Sequence, residues 1–449
     1  MEGYHNAASK HIAVLAFPIG THAAPLLSFI RKISAAAPDL RFSFFSTAGS
    51  ISSTFRKDVE VEGIKTYDVW NGLPEGYVFK ENPIEMAEYF VKALPGNFRE
   101  AMDKVAAETG KGFDYLVTDA FYWFGADMAE ELQVPWVALW TAGPRSLLIH
   151  VETDKIRRHL GIEGTPDKTL DFLPEFSAIR ASDLPDGVAC RNVHSPFAEM
   201  LHKMGLALPR ATAVAANSFQ ELDPLIVNML KSRFQKFLNV GPFCLTVPPP
   251  FSDTYDCMEW LNKQEPSSVV YISFGSVITP PPHELTALLE ALEDVGSPYL
   301  WSLRGDQEKL LGKEFVERSK EKGKIVPWVP QLKVLQHYSV GVFVTHCGWN
   351  SVLESIIAGV PLIVRPFFGE QNLNNRIVEA VWGMGLGVEG GIVTKDGMVK
   401  ALKLILSTEE GEKLRKKIEV HKELALKAVE PNGSSTENFQ TLVKIINNN

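Results

Sequence analysis

Short, nearly continuous apolar runs alternate with amphipathic stretches along this chain, and that alternation restricts the possible folds more than any other feature. The runs are "HIAVLAFP" (11–18), "RFSFFST" (41–47), "FDYLVTDAF" (113–121), "VPWVALWT" (134–141) and "AVAANSF" (213–219). They are too short for buried helices, and several end in Gly, Pro, Thr or Asp, so each predicts a buried parallel strand. Between them, "PLLSFIRKISAAA" (25–37) repeats apolar residues at helical spacing. Strand–helix alternation of this kind implies an α/β fold with a parallel sheet.

The pattern runs twice. Pro-rich "GPFCLTVPPPFSDTYD" (241–256) interrupts it and offers little core-forming material, which predicts a non-helical interdomain linker. Beyond it come "SVVYISFGS" (268–276), "PYLWSLRG" (298–305), "KIVPWV" (324–329), "VGVFVTHCG" (340–348) and "VPLIVRPF" (360–367). The tail predicts two helices broken at "EPNGSS". At 449 residues the chain is too long for one typical core. Two similar halves make a cleft between them the expected ligand site.

Charge and cysteine content narrow the partners. A formal net charge of −9 argues against nucleic acid or an anionic membrane surface. An anionic ligand would then need a local device, such as a helix N-terminus. Cys190, Cys244, Cys257 and Cys347 form no C-x-x-C pair, so neither a disulfide framework nor a structural zinc site is indicated, and a reducing cytosol fits. The polar, acidic start is unlike a signal peptide. No uninterrupted apolar run of roughly 18 residues occurs, so no membrane-spanning helix is expected.

"GLGVEG" (385–390) matches the dinucleotide fingerprint G-x-G-x-x-G, but its context is reversed. The fingerprint follows a strand and opens a helix, whereas here a helix precedes and a strand begins, with Gly383 as a helix C-cap. No P-loop sequence occurs. "VTHCGWNS" (344–351) has the right order: a strand, a turn, then "SVLESIIAG", with Ser351 and Glu354 spaced as an S-x-x-E capping box. The turn sits at the carboxyl edge of a parallel sheet, where α/β ligands bind, and the helix start favours a phosphate. A well-capped helix with Cys347 as a small buried residue satisfies the same pattern. "FGS" (274–276) makes a second such turn before the Pro-initiated helix of "PPPHELTALLEAL". Two such turns in one half suggest a diphosphate held across adjacent strand ends.

In the first half, "AFPIGTHAAPLL" places His22 at the start of the first helix, where the dipole disfavours the imidazolium. A neutral imidazole is what a general base needs. Asp119 ends another strand of the same sheet and is expected nearby, orienting the ring as a triad aspartate does. A helix cap and a polar sheet-edge group are the plainer alternatives for these two residues.

From Trp328 to Gln371 the chain reads "WVPQLKVLQHYSVGVFVTHCGWNSVLESIIAGVPLIVRPFFGEQ". This stretch resembles the signature box of plant secondary-product UDP-glycosyltransferases throughout. The surroundings of His22, Asp119 in its strand and "SFGS" extend the resemblance over essentially the whole chain. "NGLPEGYVF" (71–79), the stretch 139–144, "TPPP" and "RPFFGEQ" are most similar to flavonoid 3-O-glucosyltransferases within that family.

The resemblance implies a GT-B fold, two Rossmann-like domains facing across a cleft. It assigns 1–240 to acceptor binding, 241–256 to a linker, 257–430 to UDP-sugar binding, and 431–449 to a helix crossing back. It implies that Trp328 stacks on uracil and Gln331 lies against the nucleoside. His346, Asn350, Ser351 and Ser276 would hold the diphosphate, and Glu354 the ribose hydroxyls. Trp349, Glu370 and Gln371 would contact the sugar, with Thr141 reaching it from the other domain. Glu370 stands where close relatives often carry Asp, and Gln371 favours glucose over galactose. Phe121, Phe124, His150, Phe367 and Phe368 are the acceptor-pocket candidates. The expected reaction is inverting transfer from UDP-glucose to a flavonoid hydroxyl, with His22 as base and Asp119 behind it. No metal, no further cofactor, a cytoplasmic location and a monomeric state are expected. Transfer of galactose or xylose, or to another phenol, is the rival within enzymes. A non-catalytic nucleotide-sugar binder is the rival outside them.

Overall fold

The computed structural model describes residues 10–55, 63–77, 83–247 and 252–448. The chain forms two compact units. The first contains Met1–Glu163, Gly187–Val247 and Pro431–Asn449; the second contains Gly164–Asp186 and Pro248–Glu430.

In the first unit seven strands form one parallel sheet: β1 (His11–Leu15), β2 (Arg41–Ser46), β3 (Ile64–Asp68), β4 (Tyr115–Asp119), β5 (Trp136–Trp140), β6 (Ala213–Ala216) and β7 (Phe237–Asn239). Their order is β3-β2-β1-β4-β5-β6-β7. All five strands predicted from apolar runs in this half are present. β3 and β7 went unread: "IKTYD" is a half-exposed edge strand with alternating polarity, and "FLN" has only three residues. Helices cover the sheet, and residues such as Ile12, Val14, Leu26, Ile30 and Phe44 form one core.

The last helix, Ser434–Asn448, belongs to this unit, with Phe439, Leu442 and Ile446 in the same core. Lys32 stands over the Phe439 ring at 4.3 Å, and Lys10 Nζ donates to the Ile446 carbonyl at 3.0 Å. Tyr115 Oη donates to the Ile445 carbonyl as well.

The second unit contains β8 (Val269–Ser273), β9 (Tyr299–Ser302), β10 (Gly323–Val326), β11 (Val340–Thr345), β12 (Leu362–Val364) and β13 (Gly385–Gly387). They too are parallel, in the order β10-β9-β8-β11-β12-β13. The "GLGVEG" stretch contributes only the edge strand Gly385–Gly387, after a helical segment that ends at Gly383 with φ of +61°.

Two expectations are corrected. Residues 241–256 are not wholly non-helical: Phe243–Thr246 makes one turn, and the buried Phe243 side chain draws it into the first core. Residues 248–251 of that stretch lie outside the described residues. Nor is 1–240 one continuous domain, because Gly164–Asp186 groups with the second unit. Arg376 accounts for this, donating from Nε to the Ala178 carbonyl at 2.7 Å and pairing with Asp183 at 3.7 Å.

Both sheets share one topological property. Strand order reverses between β1 and β4 in the first, and between β8 and β11 in the second. Loops leaving the carboxyl ends at such a reversal diverge to opposite faces and open a crevice. Among the described residues, no helix is long and apolar enough to cross a membrane.

Candidate active site

His22 follows β1 and Asp119 ends β4, so both stand at the reversal point of the first sheet. His22 Nδ1 lies 2.8 Å from Asp119 Oδ2. The second carboxylate oxygen accepts the Phe121 backbone N–H at 2.9 Å, which stops the group from rotating. Asp119 is only 1% exposed, whereas the His22 side chain is 20% exposed. A carboxylate can only accept, so Nδ1 carries a ring proton, and in the neutral ring the lone pair then sits on Nε2.

Thr141 is the unexpected member of this group. Its hydroxyl lies 3.0 Å from the same His22 Nδ1, in the unit of the base. Asp119 already takes the ring proton, so Thr141 Oγ1 is a second acceptor for it and keeps its own O–H proton to donate elsewhere.

Aromatic rings wall the imidazole. Phe121 lies 4.4 Å from it between centroids, and Phe17 meets it edge-on at 5.3 Å. Phe197, on the helix Pro196–Ala207, contacts both of those rings. Motif reading missed Phe17 and Phe197, because single aromatics in apolar surroundings look like core. His150 joins the wall through Trp140, which meets Phe121 at 5.9 Å and His150 at 5.8 Å. Burial lowers the His150 pKa to about 4, so this ring is neutral. Phe124 is different: it is 3% exposed and meets Phe98, Tyr122 and Trp123, so it is a core residue away from the His22 ring.

In the second unit β8 and β11 pair with Ser273 opposite Thr345, so the turns after them leave side by side. The His346 ring sits between two glycines. A Cβ on Gly275 (φ +80°) would stand 2.8 Å from its Cε1, and a Cβ on Gly348 2.5 Å from its Nε2. Burial lowers the His346 pKa to about 4 against the opposing effect of the Ser273 carbonyl, so the imidazole is neutral. Cys347 is buried, and burial followed by the Glu370 charge pushes its thiol well above the ordinary range, which removes it as a nucleophile.

The predicted capping box does not form. The helix runs Trp349–Ala358 with Gly348 as N-cap, so Ser351 lies inside the first turn. Gly348 takes the cap because its extended backbone, φ −63° and ψ 145°, ends the turn that seats His346. Ser351 Oγ instead accepts from Gln331 Nε2 at 3.1 Å, and that amide also donates to Glu354 Oε2 at 2.6 Å. Gln331 in turn accepts from Tyr271 Oη at 2.8 Å. Gln331 therefore orients Ser351 and Glu354 as much as it offers a surface of its own. Burial raises the Glu354 pKa to about 7, with the Gln331 hydrogen bond opposing.

Trp328 follows β10 and is half-buried, as is Asn350 at the helix start. The Trp349 indole is turned inward, 4% exposed and 6.4 Å from Trp382. Ser276 is exposed and lines a small solvent-open cavity of about 60 Å³ with Thr279, Trp301, Ser302 and Arg304. Ser302 and Arg304 carry no motif and were missed.

Glu370 is the N-cap of the helix Gln371–Arg376. Gln371 is 4% exposed, and its Oε1 accepts the backbone N–H groups of Phe367 and Phe368 at 2.8 and 3.3 Å. This sets the amide so that Nε2 is the end left to donate. Phe367 has one face under the Arg365 guanidinium at 4.0 Å and an edge on Phe274, so it is partly committed to packing. Phe368 is 40% exposed. Among the described residues no three His, Cys, Asp or Glu side chains gather as metal ligands.

Neutral donors and a helix start beside a sheet reversal, in an acidic chain, suit a nucleotide sugar. The chain belongs to the UDP-glucoronosyl and UDP-glucosyl transferase family, whose sequence profile matches residues 250–431. It is 56% identical to flavonoid 3-O-glucosyltransferase of Medicago truncatula, covering 97% of this chain and 96% of that one. It is 50% identical to anthocyanidin 3-O-galactosyltransferase F3GT1 of Actinidia chinensis var. chinensis, covering 97% of both. A solved structure of UDP-glucose:anthocyanidin 3-O-glucosyltransferase in complex with UDP is similar with a TM-score of 0.92 and 40% identity, over 98% of this chain and 99% of that one. The two Rossmann-like units are those of the GT-B fold.

Proposed function

We propose that this protein transfers glucose from UDP-glucose to the 3-hydroxyl of a flavonol or anthocyanidin, giving a β-O-glucoside. The observation that carries the reading is the His22–Asp119 pair, held through Nδ1 among aromatic rings. The chain's 56% identity to a flavonoid 3-O-glucosyltransferase supports the substrate class.

In this mechanism His22 Nε2 takes the hydroxyl proton as the oxygen attacks the sugar C1. The C1–oxygen bond to the β-phosphate breaks, its electron pair leaves with UDP, and the configuration inverts. Asp119 stabilises the imidazolium that forms. His346, Asn350, Ser351, Ser276 and the helix start receive the developing diphosphate charge. Trp328 stacks on uracil, Glu354 takes the ribose hydroxyls, and Gln371 Nε2, Glu370, Thr141 and the Trp349 backbone meet the sugar. Phe121, Phe17, Phe197 and His150 border the flat acceptor, joined by Phe368. These neutral donors take the place of a metal ion. A monomeric, cytoplasmic enzyme completes the proposal. UDP-galactose is the second reading, favoured by the 50% identity to a galactosyltransferase.

Purified protein given UDP-glucose and quercetin releases UDP and forms the 3-O-β-glucoside, identified by NMR. An α-linked product rejects single displacement, and faster turnover of UDP-galactose rejects the glucose assignment.

The raised Glu354 pKa gives a pH prediction. Ribose hydroxyls donate to the carboxylate, so UDP affinity measured by calorimetry falls as pH drops through about 7, and it falls less steeply in Glu354→Gln, where only the UDP phosphate still titrates. The slope approaches about tenfold per pH unit below that point. Stability of the free protein shows the opposite trend. The folded pKa lies above the ordinary 4.5, so the contribution is present below pH 4.5 and lost as pH rises through about 7. The same pH profile in the parent and in Glu354→Gln between pH 5.5 and 8 would exclude Glu354 from the ribose contact.

A further inference from the structure

The loop from β12 to the helix Gln371–Arg376 carries Glu370 and Gln371, and a buried ion pair holds it at its root. Arg365, directly after β12, forks onto Glu284 in the first turn of the helix Pro282–Val295. Nε donates to Oε2 at 2.8 Å and Nη2 to Oε1 at 2.5 Å. The side chains are 13% and 2% exposed. Glu284 Oε2 also accepts the Val393 N–H at 3.0 Å. Burial raises the Glu284 pKa, but the hydrogen bonds and charge of Arg365 hold it below the ordinary value.

The pair does more than neutralise itself. Arg365 Nη1 donates to the Pro366 carbonyl, and the guanidinium stands over the Phe367 ring, its Cζ 4.0 Å from the centroid. Phe367 is held further by a T-shaped contact with Phe274, centroids 5.9 Å apart. The backbone N–H of Phe367 then sets the Gln371 amide by donating to Oε1 at 2.8 Å. A chain of contacts runs from Glu284 through Arg365 and Phe367 to the rotamer of Gln371.

A buried ion pair adds little to stability relative to apolar residues of the same size, and its best-attested use is to fix one arrangement among several. A planar guanidinium can hold a carboxylate, a carbonyl and a ring face together, which an ammonium cannot. We propose that Arg365 and Glu284 are positioning residues for donor-sugar selection, fixing the direction in which Gln371 presents its amide N–H groups. This rests on the reading that Gln371 meets the sugar. Both side chains are buried and act through Phe367 and Gln371, so neither is assigned a catalytic role.

The test uses the full chain with Arg365→Lys, Glu284→Gln, their combination and Gln371→Met. Affinity for UDP alone is measured beside kcat/KM for UDP-glucose and UDP-galactose. With Arg365→Lys or Glu284→Gln, UDP affinity stays within about twofold while the glucose-to-galactose ratio falls about tenfold, the scale of a misdirected polar contact. The double variant loses no more than either single, because both act through one pair. A preserved ratio in both single variants, with the ratio lost in Gln371→Met, overturns the positioning role and leaves the sugar contact standing. A preserved ratio in Gln371→Met overturns both. UDP affinity that falls as far as UDP-glucose turnover marks a general loosening of the unit and also overturns the proposal.

Discussion

Replacing His22 with Ala lowers kcat by about 10³-fold, within the range a positioned general base supplies, and leaves UDP affinity unchanged. The size follows from how completely the ring is constrained. Asp119 Oδ2 holds Nδ1 at 2.8 Å, the Phe121 N–H holds Oδ1 at 2.9 Å, and Phe121 and Phe17 hem the ring. Nε2 is thereby committed as proton acceptor, and alanine leaves the acceptor hydroxyl to ionise unaided. Asp119→Asn tests the same logic from behind. Its amide N–H would face Nδ1, favour the tautomer protonated on Nε2, and cost about 10²-fold or more in kcat. A more acidic phenol should recover part of the lost rate in His22→Ala, because it needs less help to lose its proton. Turnover of His22→Ala within about tenfold of the parent would refute the base assignment.

The fold was legible wherever burial wrote a continuous pattern. Central strands such as "HIAVLAFP" and "VGVFVTH" are apolar on both faces, and no competing element explains them. The edge strand β3 is half-solvated and β7, though buried, has only three residues, which is why neither left a readable signal. The fate of Gly164–Asp186 depended on an arginine almost two hundred residues away, and no local pattern announces such a contact. At the site, residues in strand–turn–helix motifs were legible because the motif fixes their place. Ser351 shows the limit: the S-x-x-E spacing is a true local preference, overridden when Gly348 took the cap to seat His346. Thr141, Phe197 and Arg365 act through neighbours distant in sequence, so their geometry, unlike their identity, is visible only in three dimensions.

Gly348→Ala, a change of one methyl group, lowers UDP affinity by about 10²-fold, the scale of displacing a positioned group by about 1 Å. The backbone permits the substitution, since φ −63° and ψ 145° are ordinary for alanine. The direct cost to the helix start is the modest one of a poorer cap, about 1 kcal/mol. What alanine cannot share is the space of His346: its Cβ would stand 2.5 Å from Nε2 and 3.2 Å from Cε1. The ring is also close to Gly275 on its other side, where an added Cβ would be 2.8 Å away. It must leave its position, and the neutral donor proposed for the diphosphate leaves with it. Gly275→Ala is the harsher change, because φ of +80° adds backbone strain to the same collision. Gly348→Ala is the cleaner probe, and combining it with His346→Ala identifies the cause. If the methyl acts through the ring, the double variant binds UDP no worse than His346→Ala alone. Additive losses, or parent-like UDP affinity in Gly348→Ala at unchanged Tm, would show that the two glycines serve the turn and not the histidine.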